Sequence, residues 1–297
     1  MSHAALVLTA PLLNEEHIAA VRAVLPASNA GAPDILGMDR ACEWHLDASP
    51  AELSAQLSAT RTALKAHPVD INLIAIDAHR RKRLLIADMD STIIEQECID
   101  EIADFAGCGA EVAAITERAM RGELDFDEAL RVRVGLLAGL HTTALERVIS
   151  ERLTVTPGAK TLVATMAANN ALCALVSGGF TFFTSRIAET VGFHENRANT
   201  LEMADGKLTG RPVPPILGRQ AKLDALNEFC QTRAIPLAST LAVGDGANDL
   251  AMIKAAGLGI AYHAKPIVAA EADAELNHSD LTALLYLQGY HQSEFIC

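Results

Sequence analysis

The sequence predicts an α/β chain: a doubly wound, Rossmann-like parallel sheet carrying a helical insertion, preceded by a small α+β unit of ferredoxin-like order. Three observations carry this expectation. From Leu84 onward, short apolar runs alternate with helical patterns. Roughly 80 residues separate the first two of those runs, far more than one crossover helix needs. Residues 1–80 read as βαββαβ. Composition agrees, since half of the residues are hydrophobic, 21% are charged and aromatics are few, which suits helices packed on a sheet. A length of 297 residues exceeds what one core ordinarily holds.

Taken in order, AALVLTA is the first apolar run, and NEEHIAAVRAVL follows as a helix opened by Asn14 with Glu15 and Glu16 in its first turn. ILGMDRACEWHLD holds two short strand patterns. Ser49-Pro50 with Glu52 opens a second helix, and VDINLIAID closes the unit. The basic run His79 to Arg83 reads as a solvated linker, which divides the chain into residues 1–80 and 81–297. Beyond it, LLIA (84–87), ALCALV (171–176), TLAVG (240–244) and LGIAY (258–262) read as buried parallel strands, whose carboxyl ends are where ligands bind in such sheets. Residues 95 to about 153 are rich in Glu, Ala, Leu and Arg at helical spacing and predict a helical cap over those ends. Between Asn196 and Pro214, Asp205-Gly206 marks a hairpin turn.

The formal charge of −13 argues against a nucleic-acid partner, because neutralising a phosphate backbone takes clustered Lys and Arg. Residues 161–185 carry no charge, but Asn169, Asn170, Ser177, Gly178 and Gly179 interrupt them, so no membrane span is expected. The only apolar run near the start is Leu6 to Leu8, and no signal peptide is expected. Six cysteines without a CxxC pair suggest reduced thiols in the cytoplasm, with Cys98 and Cys173 as small core residues.

Chemistry concentrates after the strand patterns. Asp88-Met89-Asp90-Ser91-Thr92 follows the first, and Val243-Gly244-Asp245-Gly246-Ala247-Asn248-Asp249 spans the end of the third. Either alone reads as a solvated turn. Together, parallel strands bring Asp88, Asp90 and Asp245 to one sheet edge, where the carboxylates repel one another unless a hard cation joins them; magnesium suits oxygen ligands and a substrate phosphate. Ser177-Gly178-Gly179 offers a hydroxyl and unhindered N–H groups to an anion, and Lys222 can neutralise phosphate charge.

In DMDST, SGG, Lys222 and GDGANDLAM, in that order over residues 84 to about 290, the chain resembles the haloacid dehalogenase superfamily of phosphatases. EQECIDEIA, MRGELDFDEALRVRV, TPGA, VSGGF, DGKLTG and GIAYHAKP extend the resemblance to its phosphoserine phosphatases. The resemblance implies hydrolysis of O-phospho-L-serine to L-serine and phosphate, the last step of serine biosynthesis, through an aspartyl-phosphate on Asp88. It makes Asp90 the general acid and later the base, binding magnesium through its backbone carbonyl, with Asp245 a metal ligand and Asp249 supporting it. Ser177, Gly178, Gly179, Lys222 and Asn248 would hold phosphate, Glu97 the substrate ammonium and Arg133 its carboxylate, with Met120 and Phe126 lining the pocket. Residues 1–80 are similar to the ACT-like extension of some members. They lack a glycine-rich ligand loop, which leaves a homodimer contact as an alternative role. Two other functions compete: another phosphatase or phosphotransferase on this fold, such as one using homoserine, and a non-catalytic amino-acid sensor.

Overall fold

The computed structural model describes residues 3–26, 31–120 and 123–297. The chain begins with β1 (His3–Thr9), α1 (Glu15–Val24), β2 (Asp34–Gly37), β3 (Ala41–Leu46), α2 (Ser54–Ala63) and β4 (Asp70–Ile76), whose strands form one sheet in the order β2-β3-β1-β4. β1 lies antiparallel to both β3 and β4. Asn14 caps α1 by accepting the His17 N–H at 3.1 Å.

A second, seven-stranded sheet follows in the order β11-β10-β9-β5-β6-β7-β8. Its centre is β5 (Leu84–Ala87), then come α3 (Cys98–Ala106), α4 (Gly109–Met120), α5 (Phe126–Leu136) and α6 (Thr142–Glu151) before α7 (Ala159–Ala168) and β6 (Leu172–Phe180). Next are α8 (Thr181–Val191), β7 (Glu195–Ala204), β8 (Lys207–Val213), α9 (Arg219–Arg233), β9 (Thr240–Gly244), α10 (Leu250–Ala255), β10 (Leu258–Tyr262), α11 (Pro266–Ala269), β11 (Ala274–Leu276) and α12 (Ala283–Leu287). All pairings are parallel except β7 with β8, a hairpin turned at Asp205 and Gly206, both with positive φ.

The period-2 alternation of β5 explains its two-sided burial. Leu85 and Ala87 pack on one face with Leu162, Val163 and Phe183, while Leu84 and Ile86 pack on the other with Leu226, Phe229 and Met252. The helices α3 to α6 form an insertion whose entry and exit chains cross at the bridge between Ile94 and Val155. Its far end is tied to the β7–β8 hairpin, where Gly139 N–H donates to Leu208 O at 2.8 Å and Thr142 N–H to Gly206 O at 2.9 Å. No helix among the described residues is long and apolar enough to cross a membrane.

Within residues 79–83, Arg81 and Arg83 are exposed as expected of a solvated linker, but Lys82 and Arg80 depart from it. Lys82 is 8% exposed, and its ammonium donates to Ala238 O at 2.8 Å and Gly257 O at 3.3 Å. Arg80 pairs with the buried Glu43 of β3 and donates to Leu287 O at 3.2 Å. Both faces of the first sheet are covered as well: Leu6 and Leu8 pack toward α1 and α2, whereas Ala5 and Val7 join the same core as Leu284 and Tyr286. The basic run is therefore part of a seam between the two sheets. Asp70 extends that seam, its carboxylate accepting the N–H groups of Asn277, His278 and Ser279 at 2.7, 3.2 and 2.8 Å.

Candidate active site

The register of the parallel strands collects the acidic residues. Ala87 lies opposite Val243 on one side and Leu175 on the other, so Asp88 and Asp245 emerge together just beyond the ends of β5 and β9, beside Ser177 where the register of β6 shifts. The Asp88 N–H donates to Val243 O at 3.0 Å, extending the ladder up to the carboxylate itself. Asp88, Asp245 and Asp249 then place carboxylate oxygens within 4.8 Å of one another. Gly244 makes this possible, because a Cβ there would collide with the Asp249 carboxylate.

Lys222, on α9, is 2% exposed and lies 2.7 Å from Asp88 Oδ2 and 2.5 Å from Asp249 Oδ1. Burial opposes its charge, but Asp249 and Asp88 outweigh that and hold the ammonium above the ordinary lysine range. One cation does not satisfy the cluster. Burial, together with Asp88, pushes the Asp245 carboxyl up to about 6 and that of Asp249 up to about 7. Three convergent oxygen donors, two of which (Asp245 and Asp249) have their ionisation suppressed by burial and by the neighbouring Asp88, fit a hard divalent cation, which would relieve that repulsion.

Asp90 stands apart from this cluster. Its carboxylate accepts the Cys98 N–H at 2.8 Å and the Ser177 hydroxyl at 3.1 Å. Burial, then the neighbouring Glu97 and Asp88, raise its carboxyl to about 7. Two acids two residues apart thus differ in environment: Asp88 faces an ammonium, and Asp90 faces a hydroxyl and the first amide of the insertion. Ser177 also accepts the Gly179 N–H at 2.8 Å, which fixes the glycine loop.

The insertion supplies the roof. The Phe126 ring, at the start of α5, lies where a Cβ on Gly178 would be 3.3 Å from its Cζ, so the ring sits closely over the bare glycine loop. Glu97 is exposed at the head of α3, with its carboxyl raised by desolvation and by Asp88 and Asp100. Arg133, half-buried, has its pKa lowered by burial, with Asp100 and Glu97 partly offsetting this. Among the described residues it makes no ion pair within 4.0 Å. The Asn248 carboxamide lies against Gly246. Met120 ends α4, but its side chain lies outside the described residues.

Sequence reasoning passed over two neighbours. Lys265 donates its N–H to Asp245 O at 3.1 Å and its charge faces both Asp245 and Glu97. Ser91 donates its hydroxyl to Glu97 Oε1 at 2.7 Å. Each sat within a quoted motif, but no spacing distinguishes a side chain aimed at the site from one aimed at solvent.

The haloacid dehalogenase-like hydrolase family model matches residues 85–254. A phosphoserine phosphatase of Streptomyces coelicolor is 44% identical over 247 residues, which cover 83% of this chain and 60% of that protein, so the chain spans less than two thirds of this relative. The unliganded crystal structure of a probable phosphoserine phosphatase from Vibrio cholerae superposes with a TM-score of 0.81 at 36% identity, over 98% of this chain and 88% of that one. A phospho-aspartyl intermediate analogue of phosphoserine phosphatase is 42% identical with a TM-score of 0.65, over 69% of this chain and 98% of that one. The chain belongs to the haloacid dehalogenase-like hydrolase family, within its phosphoserine phosphatase branch.

Proposed function

We propose that the protein hydrolyses O-phospho-L-serine to L-serine and orthophosphate, with Asp88 as nucleophile and Asp90 as general acid and then base. The observation that carries this reading is the separation of environments just described. Asp88 is paired with Lys222, which holds one of its oxygens in place toward phosphorus, while Asp90 is raised to about 7 and can still carry a proton near neutral pH.

In the first step an Asp88 oxygen bonds to phosphorus as the bond to the serine oxygen breaks, and Asp90 gives its proton to that leaving oxygen. In the second, Asp90 takes a proton from water as the water oxygen attacks the aspartyl-phosphate. Orthophosphate leaves and the Asp88 carboxylate is restored. Ser177, Gly178, Gly179, Lys222 and Asn248 hold the phosphate in line. Magnesium, held by Asp88, Asp245 and the Asp90 carbonyl with Asp249 in support, supplies charge neutralisation for the phosphate oxygens. Glu97 receives the substrate ammonium, Arg133 its carboxylate, and Phe126 closes the pocket.

Residues 1–80 serve as an ACT-like unit joined to residues 81–297, whose insertion at about 95–153 acts as the cap, and two copies pair through the first unit. With its cysteines unpaired, the protein works in the cytoplasm as the last enzyme of serine biosynthesis. The test is phosphate release from phosphoserine with magnesium, with EDTA, and with magnesium restored. Release that requires the metal supports the reading. Full release in EDTA removes the metal, and no release under any condition removes the activity.

A further inference from the structure

The two charged residues proposed to read the serine moiety are held in different ways. Arg133 donates to Ala129 O at 3.3 Å and to Thr116 Oγ1 at 3.4 Å, and both partners lie within the insertion. Glu97 precedes α3 without a side-chain capping bond to that helix. Its carboxylate is gripped instead by Ser91, at 2.7 Å, from the turn that carries the nucleophile.

Ser91 adopts φ 53°, the left-handed region that few residues other than glycine and asparagine enter readily. Three hydrogen bonds hold the turn that places it there: Ile94 N–H to Met89 O at 3.0 Å, Ser91 N–H to Gln96 O at 3.3 Å, and Cys98 N–H to the Asp90 carboxylate at 2.8 Å. Residues 88–98 therefore form a closed loop in which the Ser91 hydroxyl faces Glu97. Its donation also opposes the repulsion that Asp88 and Asp100 exert on that carboxylate.

We propose that Ser91 is a positioning residue for substrate selection: its hydroxyl fixes the Glu97 carboxylate relative to Asp88. The ammonium site then belongs to the nucleophile loop, and the carboxylate site, at Arg133, belongs to the insertion. A substrate carrying both groups spans the two parts, and its ammonium is located with respect to Asp88 whatever the helices above do. This rests on the reading of Glu97 and Arg133 given above.

The test compares phosphoserine with the phosphate monoester of 3-hydroxypropionate, which is phosphoserine without the ammonium, using the full chain with magnesium. Ser91→Gly keeps the left-handed backbone and removes the hydroxyl, and Ser91→Asn suits that backbone while returning a donor. The wild type prefers phosphoserine. Ser91→Gly cuts that preference roughly 10-fold, mostly through KM for phosphoserine, the size expected for a hydrogen bond to a charged group, and Ser91→Asn restores most of it. An undiminished preference in Ser91→Gly overturns the proposal and leaves the proposed function standing. Equal losses on both substrates also overturn it, placing Ser91 in the chemistry of the nucleophile loop. A wild type indifferent to the ammonium removes the reading of Glu97, and this proposal with it.

Discussion

Lys222 Nζ lies 2.7 Å from Asp88 Oδ2, and the two side chains are 2% and 6% exposed. An ion pair so removed from water is held by its geometry, and removing one partner leaves a charge that nothing solvates.

Replacing Lys222 by Met should therefore cost stability as well as activity. Asp88 and Asp249 would face each other without a cation, a loss of roughly 3–5 kcal/mol on the scale of broken buried pairs. Phosphate release from phosphoserine should fall by more than about 100-fold, as for removal of a preorganised charge from a transition-state site. Thermal denaturation and initial rates measure the two effects. A variant melting with the wild type would mean that water reaches the pair.

The pH dependence of stability should invert on adding magnesium. Asp245 and Asp249 have folded-state carboxyl pKa values of about 6 and 7, above their ordinary value. Between about pH 4 and 7 the folded state keeps protons that the unfolded chain has lost, so the metal-free protein loses stability as pH rises through that window. Magnesium competes with those protons and should stabilise more at pH 8 than at pH 5. Calorimetry at the two pH values with EDTA and with magnesium decides it, and a metal-free melting temperature that rises with pH across this window contradicts it.

Arg133→Ala should damage phosphoserine hydrolysis more than hydrolysis of an aryl phosphate, which has no carboxylate to read. A bidentate contact in a closed site contributes about 2–4 kcal/mol, so kcat/KM for phosphoserine should fall roughly 30-fold to 1000-fold. Arg133→Lys should recover part of this, because an ammonium lacks the planar fork. Equal losses on both substrates would make Arg133 structural.

Asp70→Ala should weaken the seam between the sheets. Three backbone N–H groups, of Asn277, His278 and Ser279, lose their acceptor, at a cost of roughly 2–4 kcal/mol. Truncation to residues 81–297 goes further, since it uncovers Tyr286 and Leu284 where Ala5 and Val7 pack. The fragment should melt well below the full chain although every proposed catalytic residue remains in it. Identical melting curves for fragment and full chain would show that the seam contributes nothing.

The elements that carry the proposed catalytic residues were legible because their pattern is written locally. LLIA is buried on both faces as a central parallel strand must be, so the residue after it, Asp88, had to emerge at the sheet edge. The same logic placed Asp245 after β9 and Ser177 near the end of the regular part of β6. The Asp205-Gly206 hairpin was legible too, since its turn needs two residues that tolerate positive φ. By itself, then, the sequence determined the central strands β5, β6, β9 and β10, the turns after them and the acidic residues those turns carry. Only the tertiary structure decided which charges are paired and which surfaces are covered. Lys222 had the local pattern of a surface lysine until α9 set it between Asp88 and Asp249, and the basic run near Lys82 looked solvated until Glu43, Ala238, Gly257 and Leu287 closed around it. Periodicity records which face of an element is apolar, whereas the partner of a buried charge lies wherever the fold returns the chain, here 37 residues away for Arg80 and Glu43 and 209 for Asp70 and Ser279.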